Sequence, residues 1–170
     1  ILKGGYSVDD RFFLEAKIND SEEGQIALNE VVIHSKSIAQ LIEYEVFIDD
    51  TFVYRQKADG IIVSTPTGST AYSLSGNGSI VHPSLKGINL LPMFPHSLSA
   101  RPLLVPDWSE IRIQLFKKNG SMSLDGHTKL NLKNKDFVTI SKAKSKLQLI
   151  HPLNHDFYSA CRNKLGWSLG

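Results

Sequence analysis

The chain has 170 residues, 41% hydrophobic and 21% charged, with a formal net charge of +2. That is enough chain for one domain with a real core and too apolar a composition for a disordered one. The basic excess is too small to argue for nucleic acid, no apolar run is long enough to span a membrane, and a single cysteine, Cys161, excludes an internal disulfide framework.

Residues 11–18 and 26–33 read as strands on either side of an acidic loop, Asn19-Asp20-Ser21-Glu22-Glu23-Gly24. Ile42, Tyr44, Val46 and Ile48 alternate with Glu43, Glu45 and Phe47, the period-two pattern of a half-buried strand. Asp49-Asp50 turns this strand into a partner over residues 51–56. Gly60 then opens a short apolar strand that runs into a Thr/Ser/Gly loop punctuated by Pro66 and Gly68, with a helix predicted from Ser69 or Thr70. Further on, Ile111, Ile113 and Leu115 alternate with Arg112 and Gln114. Lys118-Asn119-Gly120 leads into residues 121–124, and strands follow at 137–141 and 146–150. A second helix is predicted over 156–165, capped by Asn154 and closed by Gly166, with Cys161 as a packed thiol beside Phe157 and Leu165. Strands at this spacing predict a mainly β, sandwich-like domain over residues 1–152, followed by a helical arm over 153–170.

A strand, a hydroxyl-rich turn and a helix start together form a candidate site for a polar small molecule. Asn29 and Glu30 interrupt an apolar strand, so they are either bonded at a strand-end bend or aimed at a ligand. Asp59-Gly60 reads as a turn or as a carboxylate on a ligand, and Lys57 as a solvated lysine or a phosphate contact. Thr67, Thr70, Ala71, Tyr72, Ser73, Leu74 and Ser75 offer hydroxyls, small residues and one aromatic face. No histidine pairs at metal-ligand spacing with the cysteine or with another histidine.

The run from Asp59 to Ser75, D-G-I-I-V-S-T-P-T-G-S-T-A-Y-S-L-S, resembles the signature of the NAD kinases. Residues 27–33 resemble that family's Asn-Glu segment, 91–103 a third block, and the tail, with Asp156-Phe157-Tyr158 and Lys164-Leu165-Gly166-Trp167, a fourth. The blocks keep the family's order, and the wording is closest to the bacterial branch. The resemblance implies phosphorylation of the adenosine ribose 2′-hydroxyl of NAD by ATP, with Mg²⁺ accompanying the nucleotide, to give NADP. It implies that Asn29 and Glu30 hold ribose hydroxyls, that Thr67 and Thr70 to Ser75 hold the adenine, and that Asp59 meets the far, nicotinamide end, beside which Lys57 balances its charge or meets a phosphate. Gln40 and His127 approach the same ligand, and Phe94 lines the nicotinamide pocket from a neighbouring subunit of a homo-oligomer. A cytoplasmic protein with no nucleic-acid or membrane partner is expected.

The family's Gly-Gly-Asp-Gly turn, which binds donor phosphates and carries the general base, has no counterpart here, because Gly4-Gly5 is followed by Tyr6-Ser7. The chain also starts at Ile1 rather than at methionine. The expectation is therefore the NAD-binding portion of a kinase, inactive by itself, with the arm packing on an α/β domain absent from the chain. A non-catalytic NAD or NADP sensor and a lipid-kinase relative are the alternatives.

Overall fold

The computed structural model describes residues 4–37 and 40–167; residues 1–3 and 168–170, the ends of the two expected segments, lie outside the described residues. Residues 12–145 form one compact unit, and the segments before and after them form the other. The division falls inside β1 (Tyr6–Ile18) and β12 (Phe137–Pro152).

The larger unit is a two-sheet sandwich. One sheet orders its strands β2-β1-β12-β9-β4-β5, with β2 at Gln25–Ala27, β4 at Ile42–Ile48, β5 at Thr51–Ala58 and β9 at Ile111–Phe116. The other is β11-β10-β3-β6-β7-β8. Its strands are β3 (Glu30–Ser35), β6 (Gly60–Ser64), β7 (Gly87–Met93), β8 (Leu103–Pro106), β10 (Gly120–Leu124) and β11 (Thr128–Leu132). Alternate residues of both sheets meet between them: Ile42, Tyr44, Val46, Ile111, Ile113 and Leu115 from one side pack with Val31, Ile33, Ile61, Val63, Ile88 and Leu90 from the other. On the solvent side of the first sheet, Glu43 is bridged by Arg55 at 2.8 Å and Lys117 at 3.4 Å, which explains the polar half of the alternation.

The second sheet is covered on its outer face as well. Val32, Ile62 and Leu91 form a separate apolar cluster there, with Met93 against it. The chain after β6 makes a 3₁₀ turn at Thr67–Thr70 and one helical turn, α1, at Tyr72–Ser75. It then crosses that cluster: a Cβ on Gly76 would lie 2.9 Å from the Leu91 side chain and 3.4 Å from that of Ile62. All five residues of β6 are consequently buried.

Several elements differ from the sequence expectation. The strand expected over 26–33 is broken at Leu28-Asn29. The segments 137–141 and 146–150 are parts of one 16-residue strand. β7, β8 and β11 carry no clean alternation or are too short to show one; β7, buried on both faces, reads as an apolar run broken by Asn89. In the smaller unit, α2 (Phe157–Leu165) is capped by Asp156 rather than Asn154. The Asp156 carboxylate accepts from the Tyr158 and Ser159 N–H groups at 3.1 and 3.0 Å. Gly166 ends the helix in the left-handed conformation, as expected, and Cys161 is buried.

Candidate functional site

The break between β2 and β3 is where the site begins. Leaving the sheet ladder at Leu28 and Asn29 exposes backbone groups that must be paired elsewhere. The N–H groups of Leu28, Asn29 and Glu30 all donate to one carboxylate, that of Asp125, at 2.7, 2.8 and 3.0 Å. The Leu28 carbonyl accepts from the Thr65 hydroxyl at 2.7 Å, and the Asn29 carbonyl from the Thr65 N–H at 2.9 Å. The Thr65 hydroxyl in turn accepts from the Gly68 N–H at 3.1 Å. Gly68 packs so closely that a Cβ there would stand 2.0 Å from the Asn29 carbonyl oxygen. Three segments far apart in sequence are thus tied into one knot.

Asp125 reaches this position from the hairpin loop between β10 and β11, where it sits at φ 48° beside Gly126 at φ 72°. Aspartate and glycine are residue types that tolerate the left-handed region. The Asp125 N–H donates back to the Glu30 carbonyl at 3.1 Å, so the contact is reciprocal.

Glu30 opens β3 and is only 5% exposed. Burial, and secondarily the Asp125 charge, push its pKa up to about 7, against the pull of the Tyr72 N–H that its carboxylate accepts. The Oε2 atom is shut off from solvent and has no hydrogen-bond partner among the described residues. Such a group switches near neutral pH: ionised it accepts hydrogen bonds, and protonated it donates one.

Around the knot stand most of the Thr/Ser block. Thr67, Thr70, Ala71 and Leu74 are half-buried, Ser75 is exposed, and the Tyr72 ring is 46% exposed rather than packed in the core. Ser73 is fully buried beneath the turn. Ser69 braces it, accepting from the Val81 N–H at 3.0 Å and donating to the Pro66 carbonyl at 2.6 Å. His127 is exposed on the Asp125 hairpin, so it belongs to this group.

The remaining candidates lie elsewhere. Asp59 and Thr65 flank β6, about 20 Å apart by strand rise. At the Asp59 end Lys57 is exposed, and its carbonyl accepts from the His96 N–H at 2.9 Å. A cleft of about 470 Å³ opens there, lined by Arg55, Lys57, His96, Ser97 and Arg101 among others, and is distinctly basic. Phe94, just after β7, is 73% exposed at φ 44°. Gln40 lines a neighbouring cleft of about 450 Å³ with Lys57, Lys117 and Lys118. The candidates therefore fall into two groups, one at each end of β6.

Asp125 and Thr65 are site-building residues that the sequence reading passes over. An Asp-Gly hairpin signal is visible at 125–126, but nothing local shows that the carboxylate reaches back to Leu28. Among the described residues, no cluster of three or more His, Cys, Asp or Glu side chains could hold a metal ion, and no helix is long and apolar enough to cross a membrane.

Residues 28–152 match the family model of the ATP-NAD kinase C-terminal domain. The chain is 49% identical to an NAD kinase of Azotobacter vinelandii over 98% of its own length, and 46% identical to one of Teredinibacter turnerae over 99%; it spans 59% of each relative. Its fold is similar to that of yeast NADH kinase complexed with NADH, with a TM-score of 0.84 and 32% identity over 92% of this chain and 49% of that one. It is also similar to an NAD kinase from Archaeoglobus fulgidus in complex with ATP, with a TM-score of 0.74 and 25% identity over 93% of this chain and 59% of that one. An Asn-Glu strand break with a buried glutamate, braced by a hydroxyl-rich turn, thus occurs in a chain that belongs to the NAD kinase family, whose C-terminal domain it carries.

Proposed function

We propose that this chain supplies the NAD pocket of a cytoplasmic kinase that transfers the terminal phosphoryl group of ATP, as its Mg²⁺ complex, to the adenosine ribose 2′-hydroxyl of NAD. The observation that carries this reading is the braced break at Leu28–Glu30, which presents Asn29 and Glu30 side by side next to the Thr67–Ser75 turn. A fixed carboxylate is a good acceptor for ribose hydroxyls. The half-buried Thr70 and Ala71 and the open ring of Tyr72 suit an adenine, which needs close approach and an aromatic face.

The ribose 2′-oxygen attacks the γ-phosphorus, the bond to the ADP oxygen breaks, and the hydroxyl proton leaves to a base. In-line positioning and charge stabilisation dominate such transfers. Asn29 and Glu30 orient the acceptor, whereas the base and the donor-phosphate loop come from sequence outside these 170 residues. The chain alone binds NAD and turns over little. At the other end of β6, Lys57 and the basic cleft suit phosphate charge, and Asp59 suits a carboxamide. In a homo-oligomer the exposed Phe94 of a neighbouring copy lines the nicotinamide end.

The test is NADP formation from NAD and MgATP, using this chain and the full gene product that contains it. Activity confined to the longer form is expected, with an NAD KM raised in Asp59→Ala. Binding of NAD without NADP formation in either form would replace this reading with a sensing module.

A further inference from the structure

Glu30, Ser64 and Asn89 stand in one row across three neighbouring strands, Glu30 opposite Ser64 and Ser64 opposite Asn89. Opposed residues share a face of the sheet. Here it is the outer face, whose next row is Val32, Ile62 and Leu91 under the chain that follows α1. The three side chains are 5%, 0% and 3% exposed. Each has one polar atom that is sealed from solvent and has no hydrogen-bond partner among the described residues: Glu30 Oε2, Ser64 Oγ and Asn89 Nδ2. The Ser73 hydroxyl, fully buried above the same face near Leu91, is a fourth.

Buried polar atoms are rarely left without partners, and a small polar space with several of them is where proteins hold ordered water. The chemistry of the row has a direction. The Asn89 amide nitrogen only donates, the Ser64 hydroxyl accepts one bond and donates another, and an ionised Glu30 only accepts. Strand order puts the hydroxyl between donor and acceptor.

We propose that Ser64 and Asn89 are positioning residues for Glu30, forming with ordered water a hydrogen-bonded row that donates to the hidden side of its carboxylate and keeps it ionised for the ligand hydroxyl. The proposal rests on the NAD-pocket reading for its ligand, but not for the row itself. The charge acting on Glu30 is Asp125, which opposes ionisation; from α1 comes the Tyr72 N–H, and His127 is exposed on the Asp125 hairpin. The row is therefore the counterweight to burial and to Asp125.

The experiment is a carbon-13 NMR titration of glutamate side-chain carboxyls in the full gene product, with the Glu30 signal assigned by its loss in Glu30→Gln. Ser64→Ala, which deletes one oxygen, and the nearly isosteric Asn89→Leu are compared with the native protein. Removing donors should raise the Glu30 midpoint by about one pH unit in each variant. Calorimetry should then show NAD affinity about fivefold weaker at pH 7 and unchanged at pH 9, where Glu30 is ionised in all forms. Ser64→Thr, which keeps the hydroxyl, should restore the native midpoint. A midpoint that stays put in both variants overturns the row, whatever happens to stability. A shifted midpoint in a protein that binds no NAD would uphold the row and overturn the pocket reading instead.

Discussion

At the Thr65 end of β6, every backbone N–H and carbonyl of Leu28–Glu30 is bonded to Asp125 or Thr65, and the carboxylate at its centre is buried. At the Asp59 end, Lys57, His96 and Phe94 are exposed around an open basic cleft. The first end is preorganised: its acceptor is fixed before any ligand arrives, which suits a step that depends on placing one hydroxyl in line with a phosphate. The second end supplies charge and surface that a ligand, or another copy of the chain, can still reshape. Substitutions should therefore act on folding and binding together at the first end, and on binding alone at the second.

The sharpest break in that contrast is Gly68→Ala. A methyl group 2.0 Å from a backbone oxygen cannot be relieved by a side-chain rotation, so the turn must leave the Asn29 strand. A loss of about 4 kcal/mol in urea denaturation is expected, with NAD binding abolished. Asp125→Ala comes next. Removing one carboxylate strands three N–H groups, a cost of about 3 kcal/mol, and should weaken NAD binding although the side chain need not touch the ligand.

Glu30→Gln sharpens the comparison through its sign. The native pKa near 7 lies above the unfolded value, so the folded state holds the proton more tightly. Native stability therefore falls as pH rises from about 4.5 to 7, and that penalty persists above 7. Glu30→Gln should be more stable than the native protein at pH 8, by about 3 kcal/mol, and equal to it below pH 4, as thermal melts across pH would show. The smallest effect on folding belongs to Phe94→Gly. It replaces an exposed ring at a left-handed backbone position, so stability should change by less than about 1 kcal/mol. NAD affinity should nevertheless fall severalfold, by calorimetry, if the ring meets the nicotinamide end.

How far the molecule could be read from its residues follows the same division. The sandwich was legible because β4 and β9 alternate cleanly, one face in the core and one in solvent. Asn29 and Glu30 stood out as polar residues in an apolar run, and the Thr/Ser block as a hydroxyl-rich turn between strand and helix. What was hidden depends on distance in sequence. The break at Leu28 exists because Asp125, on a hairpin nearly a hundred residues later, offers its N–H groups a better partner than a ladder would. β7 was hidden for another reason, since burial on both faces erases the alternation that marks a strand. Asn89, a lone amide in Gly87-Ile88-Asn89-Leu90-Leu91, was a visible signal whose meaning required the register with Ser64 and Glu30.

The most direct test of the central claim is an NAD titration of the native protein and Glu30→Gln at pH 8, followed by calorimetry. If Glu30 is held as the ribose acceptor, the variant binds NAD at least about tenfold more weakly even though its fold is the more stable of the two. Equal affinity in the two proteins would contradict the account and leave Glu30 as a structural residue of the strand break.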